Sequence, residues 1–161
     1  MKTYLFYAAA TGFVASFTVH LMTFTDMIVL QLFPGVFVLH IGIFAVALMA
    51  ALTLKDFRSG RPNLPRKFIV PLVCLFVYAG FNFFSSVNLN ESGVPGTVDG
   101  KPVLQAHGRV IRVLTAKESA RHENYLVRGF SGHWMLFYFL LAATFCPSNL
   151  ADRKRIEKLV S

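Results

Sequence analysis

Five histidines, His20, His40, His107, His122 and His133, are the side chains of this sequence best suited to holding a cofactor. Imidazole binds iron, copper and zinc through either ring nitrogen, and a histidine within an apolar helix is costly to leave without a partner. His20 and His40, on different helices, would supply the axial pair of a b-type haem. Joined by His133 and by His107 or His122 from the neighbouring polar segment, they would instead hold a copper or zinc ion. The third reading is structural: each imidazole bonds Tyr78, Asn82, Gln31 or a backbone carbonyl and fixes the packing of helices. That reading, with no cofactor bound, is taken first; haem b or a copper or zinc ion is the alternative.

A second chemical candidate is Gly129-Phe130-Ser131-Gly132 beside His133. It is similar to the Gly-x-Ser-Gly element of rhomboid intramembrane proteases, in which a serine at a helix start is activated by histidine. Two residues apart on one helix, however, Ser131 and His133 point to different sides, and a rhomboid needs six spans. The structural alternative makes Ser131 the cap of the last apolar helix, with Gly129 ending a preceding one and Arg128 and Trp134 anchoring the junction at the membrane interface. Asn82, Arg128, Ser131 and Trp134 together form the expected ligand or partner surface.

These side chains must be positioned by apolar helices. Of 161 residues 55% are hydrophobic and 15% charged, and the apolar ones fall in long uncharged runs rather than on one face of amphipathic helices. Four spans are expected, over residues 4–25, 33–54, 68–87 and 131–146, with Pro34 and Pro71 in the first turns of the second and third. The net charge of +8 does not indicate nucleic-acid binding, because the basic residues lie between spans. Residues 55–67 hold five basic residues and one acidic, and the tail 148–161 is also basic, which puts both termini and this loop in the cytoplasm. At about 1.5 Å per residue, His20 and His40 then lie roughly 6–10 Å below the outer boundary of the hydrocarbon. Ala8, Gly12, Ser16 and His20 form a small-residue stripe on the first span, and Cys74, Tyr78, Asn82 and Ser85 or Ser86 a polar one on the third. Cys74 and Cys146 give neither a disulfide framework nor a zinc spacing.

Residues 88–130 form the extracytoplasmic segment. Asp99-Gly100 and His107-Gly108 are two-residue turn signals around Val103-Leu104-Gln105-Ala106 and Arg109-Val110-Ile111-Arg112-Val113, which predicts a hairpin with Pro102 keeping its first strand at an edge. Thr115 and Glu118 make a capping box for a short helix reaching about Val127. Arg109, Arg112, Arg121 and Arg128 could offer a basic outer patch for lipid headgroups or an anionic ligand, but interleaved with Glu118 and Glu123 they are read first as a solvated face.

Val98-Asp99-Gly100-Lys101, Val103-Leu104, His107-Gly108, Val110-Ile111, Leu114-Thr115, Glu118, His122, Tyr125 and the run from Arg128 to Tyr138 resemble an uncharacterised family of small bacterial multi-span membrane proteins, over residues 94–140. The resemblance implies a bacterial inner-membrane setting and carries no activity. The expectation is an all-α integral membrane protein, a four-helix transmembrane bundle with a small extracytoplasmic hairpin-plus-helix cap. Its expected role is non-enzymatic, a binding or accessory protein acting at its outer mouth, in contact with the lipid bilayer and with a membrane or periplasmic protein as candidate partner. A haem- or metal-handling redox protein using the outer histidines is the alternative.

Overall fold

Pro34 lies in a turn ahead of the second expected helix rather than in its first turn, and the span expected over 33–54 becomes helical only at Val38. The residue before a proline is disfavoured in the helical region, and Phe33, at φ −134° and ψ 75°, ends a single-turn helix there. In the computed structural model, which describes residues 1–25, 27–54 and 64–146, the chain runs α1 (Lys2–Met22), α2 (Val29–Leu32), α3 (Val38–Thr53), α4 (Arg66–Leu89), β1 (Val94–Val98), β2 (Lys101–Ala106), β3 (Arg109–Val113) and α5 (Ala116–Phe145). Among the described residues three helices, α1, α4 and α5, are long and apolar enough to cross a membrane. With 16 residues, α3 is about 24 Å long and falls short of a hydrocarbon core of roughly 30 Å. Of the basic loop, residues 55–63 lie outside the described residues, as does the tail from 147 onward.

The expected break at Gly129 does not occur. Helix α5 continues through Gly129, Ser131 and Gly132 for 30 residues, so Gly129 ends no helix and Ser131 caps none. The charged residues of α5 stop at Arg128, and its apolar stretch follows. Both glycines are there for close approach: a Cβ on Gly129 would collide with the side chain of Ser86, and one on Gly132 with the carboxamide of Asn82.

The chain divides into two compact units. One comprises Met1–Ala15, Val38–Phe76 and Trp134–Ser161. In its core lies Tyr138, whose ring occupies the place of a Cβ on Gly12 and whose hydroxyl occupies that of a Cβ on Gly42 while donating to the Leu39 carbonyl at 2.8 Å. The Phe139 ring meets Phe13 at 5.7 Å and Phe68 at 6.0 Å between centroids. Leu5, Ala9, Ile43, Ala50, Leu141 and Phe145 complete the core. Trp134 is wholly buried rather than interfacial, and its indole N–H donates to His40 Nδ1 at 3.0 Å. On α1 the buried stripe holds for Gly12, Ser16 and His20, but Ala9 replaces the exposed Ala8.

The other unit comprises Ser16–Phe37 and Val77–His133. The expected hairpin is present as part of an antiparallel sheet of three strands in the order β1-β2-β3. Both two-residue turns have positive φ at both positions, Asp99 and Gly100 at 50° and 73°, His107 and Gly108 at 51° and 75°. That is the primed-turn geometry that matches strand twist. Pro102 lies in the central strand, not at an edge: it pairs with Thr97 on one side, while β3 ends at Val113, just short of the position where the missing N–H would be needed. A bulge at Leu104/Gln105 shifts the β2–β3 register.

The capping box forms as expected. Glu118 accepts from the Thr115 N–H at 2.8 Å, and Thr115 Oγ1 accepts from the Glu118 N–H at 3.2 Å. Arg112 ties this helix start to the exit of α4, bonding Glu118 at 2.9 Å and Glu91 at 2.8 Å. The Thr115 N–H and hydroxyl, then Arg112, hold the Glu118 carboxyl down to about 2, and Arg112 holds Glu91 below the usual range. Buried His122 is depressed by desolvation and stays neutral near pH 7. All three have lower folded-state values, so each contributes stability above its unfolded value that is lost as pH falls through the folded one. The thermal midpoint is therefore expected to fall in two stages on acidification, first below about pH 6.5 and again below about pH 4. Replacing Glu118→Gln should reduce the second stage, leaving the part that Glu91 contributes, and leave the first unchanged, as read by circular dichroism melts from pH 8 to pH 3.

Candidate functional site

In the second unit the polar side chains of α1, α4 and α5 converge on Ser131. Tyr78, Asn82 and Ser86 follow one another at spacing four on one face of α4, while Ser16 and His20 do the same on α1. His20, 2% exposed, contacts Ser131 Oγ through Nδ1 at 2.8 Å and the Tyr78 hydroxyl through Nε2. Ser131 Oγ also donates to the Arg128 carbonyl at 3.1 Å, and Asn82 Nδ2 donates to the same carbonyl at 2.7 Å. One tautomer satisfies every group: Tyr78 donates to Nε2, Nδ1–H donates to Ser131, and Ser131 donates to the helix carbonyl. Its proton is then directed away from the imidazole, the reverse of an activated nucleophile, and Ser131 has no exposed surface through which a substrate could reach it. The arrangement fits a buried packing network.

Arg128 connects this network to a cleft. Its Nη2 donates to the Thr23 carbonyl at 2.6 Å and its Nε to Thr23 Oγ1 at 3.3 Å. The guanidinium lies over the Phe24 ring at 3.9 Å and reaches the Tyr125 ring at 5.4 Å, a doubly stacked cation. One turn earlier on α5, Asn124 accepts from the Val29 N–H at 3.1 Å and donates to the Met27 carbonyl at 2.7 Å. The strap after α1 is thus clamped at Thr23, Met27 and Val29. Between strap and helix is a cleft of about 740 Å³ lined by Thr23, Phe24, Thr25, Ile28 and Gln31 on one side and by Ala116, Lys117, Ala120, Arg121, Asn124, Tyr125 and Arg128 on the other. Its described walls bear three cations and no carboxylate. Lys117 and Arg121 are exposed and form no ion pair among the described residues.

The remaining histidines are dispersed. His107 occupies a turn. His122 packs beneath Asn90, whose carboxamide, turned so that its nitrogen faces the helix, donates to the His122 carbonyl at 3.1 Å and accepts from the Leu126 N–H at 3.2 Å. His133 Nδ1 donates to the Gly129 carbonyl at 3.0 Å and its ring packs edge-on against Phe83. His40 belongs to the first unit, paired with Trp134. Among the described residues no group of three or more His, Cys, Asp or Glu side chains is placed to hold a metal ion. Axial ligation of a haem would require His20 to release Ser131 or Tyr78. No protein-family model matches the chain, and neither a curated protein nor a solved structure matches it. The site is therefore read from its own geometry.

Of the surface expected from sequence, Asn82, Arg128 and Ser131 come together here, while Trp134 belongs to the core of the other unit. Thr23, Phe24, Lys117, Asn124 and Tyr125 were not expected. Lys117, Arg121, Asn124, Tyr125 and Arg128 fall at helical spacing on one face; the first four already lay within the short helix expected to reach about Val127, and the continuation of α5 adds Arg128.

Proposed function

We propose that this chain is a four-span inner-membrane protein with cytoplasmic termini, a non-enzymatic binding protein that takes an anionic group in the cleft at its extracytoplasmic mouth. The observation that carries the reading is the convergence of Lys117, Arg121 and Arg128 on a cleft without a described carboxylate. The membrane setting is supported by α4, on which Ile69, Val70, Val73, Phe76, Val77, Phe81 and Phe84 are exposed, an apolar surface suited to acyl chains. In this reading α3, with its flanking apolar residues, crosses as the fourth helix, and the basic residues at 55–67 and beyond 148 face the cytoplasm. The motif residues over 94–140 make it a candidate member of the small bacterial membrane proteins that they resemble.

An anion that binds only the folded protein raises its melting temperature. At constant ionic strength, inorganic sulfate in place of chloride should raise the thermal midpoint of the detergent-purified protein, and should do so less for Arg121→Gln. Equal midpoints in sulfate, phosphate, acetate and chloride would remove the reading.

A further inference from the structure

We propose that the group taken by this cleft is a phosphate monoester or diester whose organic part lies against Phe24 and Ile28; this deepens the reading above and rests on it. Charge and donor number carry the choice of anion. A carboxylate is satisfied by one guanidinium, whereas a phosphate presents more acceptor oxygens and up to two charges, which several cations hold better than one. Three cations are available. Arg128 is fixed in advance, with Nε and Nη2 held by Thr23 and one face covered by Phe24, so its Nη1 edge can be presented at little entropic cost. Lys117 and Arg121, one turn apart on α5, are exposed and without ion-pair partners among the described residues.

Size carries the rest. At about 740 Å³ the cleft has the volume of sites for whole small molecules rather than for a bare ion. Its strap side alternates apolar Phe24 and Ile28 with polar Thr25 and Gln31, a wall for an organic moiety that also carries hydroxyl or amide groups. Phe24 and Met27 are 57% and 46% exposed, so an apolar extension of the ligand can leave along the strap. A phospholipid headgroup and a soluble phosphate ester share this chemistry.

Isothermal titration of the full-length detergent-solubilised protein tests the assignment, with inorganic phosphate, glycerol 3-phosphate and acetate as probes. Glycerol 3-phosphate should bind more tightly than inorganic phosphate, and acetate at least about tenfold more weakly than either. The variants Arg121→Gln and Lys117→Gln, which remove side chains outside the packed core, should each weaken glycerol 3-phosphate about tenfold, the loss expected for one charge-assisted contact. Reconstitution into nanodiscs identifies the source. If phosphatidylglycerol discs abolish glycerol 3-phosphate binding and phosphatidylcholine discs do not, the natural occupant is a lipid headgroup; if binding persists in both, it is soluble. Acetate binding as tightly as phosphate would overturn the phosphate assignment while leaving an anion-binding mouth, whereas variants that bind glycerol 3-phosphate like the wild type would take the site away from this cleft and overturn both. Failure of every probe in detergent together with no selectivity for phosphatidylglycerol would overturn both.

Discussion

Gly12→Val should prevent the protein from folding stably. The Tyr138 ring occupies the position of a Cβ on Gly12, and the Tyr138 hydroxyl, bonded to the Leu39 carbonyl, fills the same position beside Gly42. Tyrosine and glycines are therefore a matched set, in which the absence of two side chains admits one large one. Overpacking a dense core costs about 1–3 kcal/mol where side chains can shift. Here the ring is pinned at its hydroxyl and packed at 3% exposure, so the upper end of that range is expected. Gly12→Val should give aggregated or low-melting material on detergent gel filtration. Adding Tyr138→Leu should restore a monodisperse peak, because the shorter side chain vacates the slot. A Gly12→Val protein with a wild-type melting profile would contradict the slot.

His20→Ala is the second large expectation. The change removes a buried ring and leaves Tyr78 and Ser131 without their shared partner. Truncations of large buried side chains cost about 2–5 kcal/mol, while Ser131 keeps its bond to the Arg128 carbonyl. Ser131→Ala should be milder, about 1 kcal/mol, because Asn82 continues to hold the Arg128 carbonyl and His20 keeps Tyr78. Ser16 lies on the same face of α1, and its buried hydroxyl has no hydrogen-bond partner among the described residues. Ser16→Ala should therefore be neutral or stabilising. Thermal midpoints should rank Ser16→Ala highest, Ser131→Ala next and His20→Ala far below; equal losses for Ser16→Ala and His20→Ala would contradict the network.

What could be read from sequence was what local chemistry determines. The capping box needs only Thr115 and Glu118, three residues apart, and the two turns need only Asp99-Gly100 and His107-Gly108, so these were legible. Strand β1 was not, because Val94-Pro95-Gly96-Thr97-Val98 contains two residues that weaken strands and is held by pairing with β2. Gly129 read as a helix end since glycine commonly serves there; its actual role, making room for Ser86, depends on another helix. Trp134 read as an interfacial anchor because nothing local shows that His40 would meet it. The same limit applied to the site. The bond between Arg128 and Thr23 joins residues 105 positions apart, and only the fold makes those side chains neighbours. The polar stripes on α1 and α4 did carry part of the answer, since His20, Tyr78 and Asn82 were already placed on inward faces by spacing.

The central claim is that the sheet and the first half of α5 stand outside a membrane while the chain ends stay inside. Site-directed labelling tests it most directly. In a background with Cys74→Ser and Cys146→Ser, Thr97→Cys, on an exposed position of β1, should react with a membrane-impermeant maleimide on intact cells, whereas Ser161→Cys should react only after permeabilisation. The opposite pattern, with residue 161 accessible and residue 97 protected, would contradict the account.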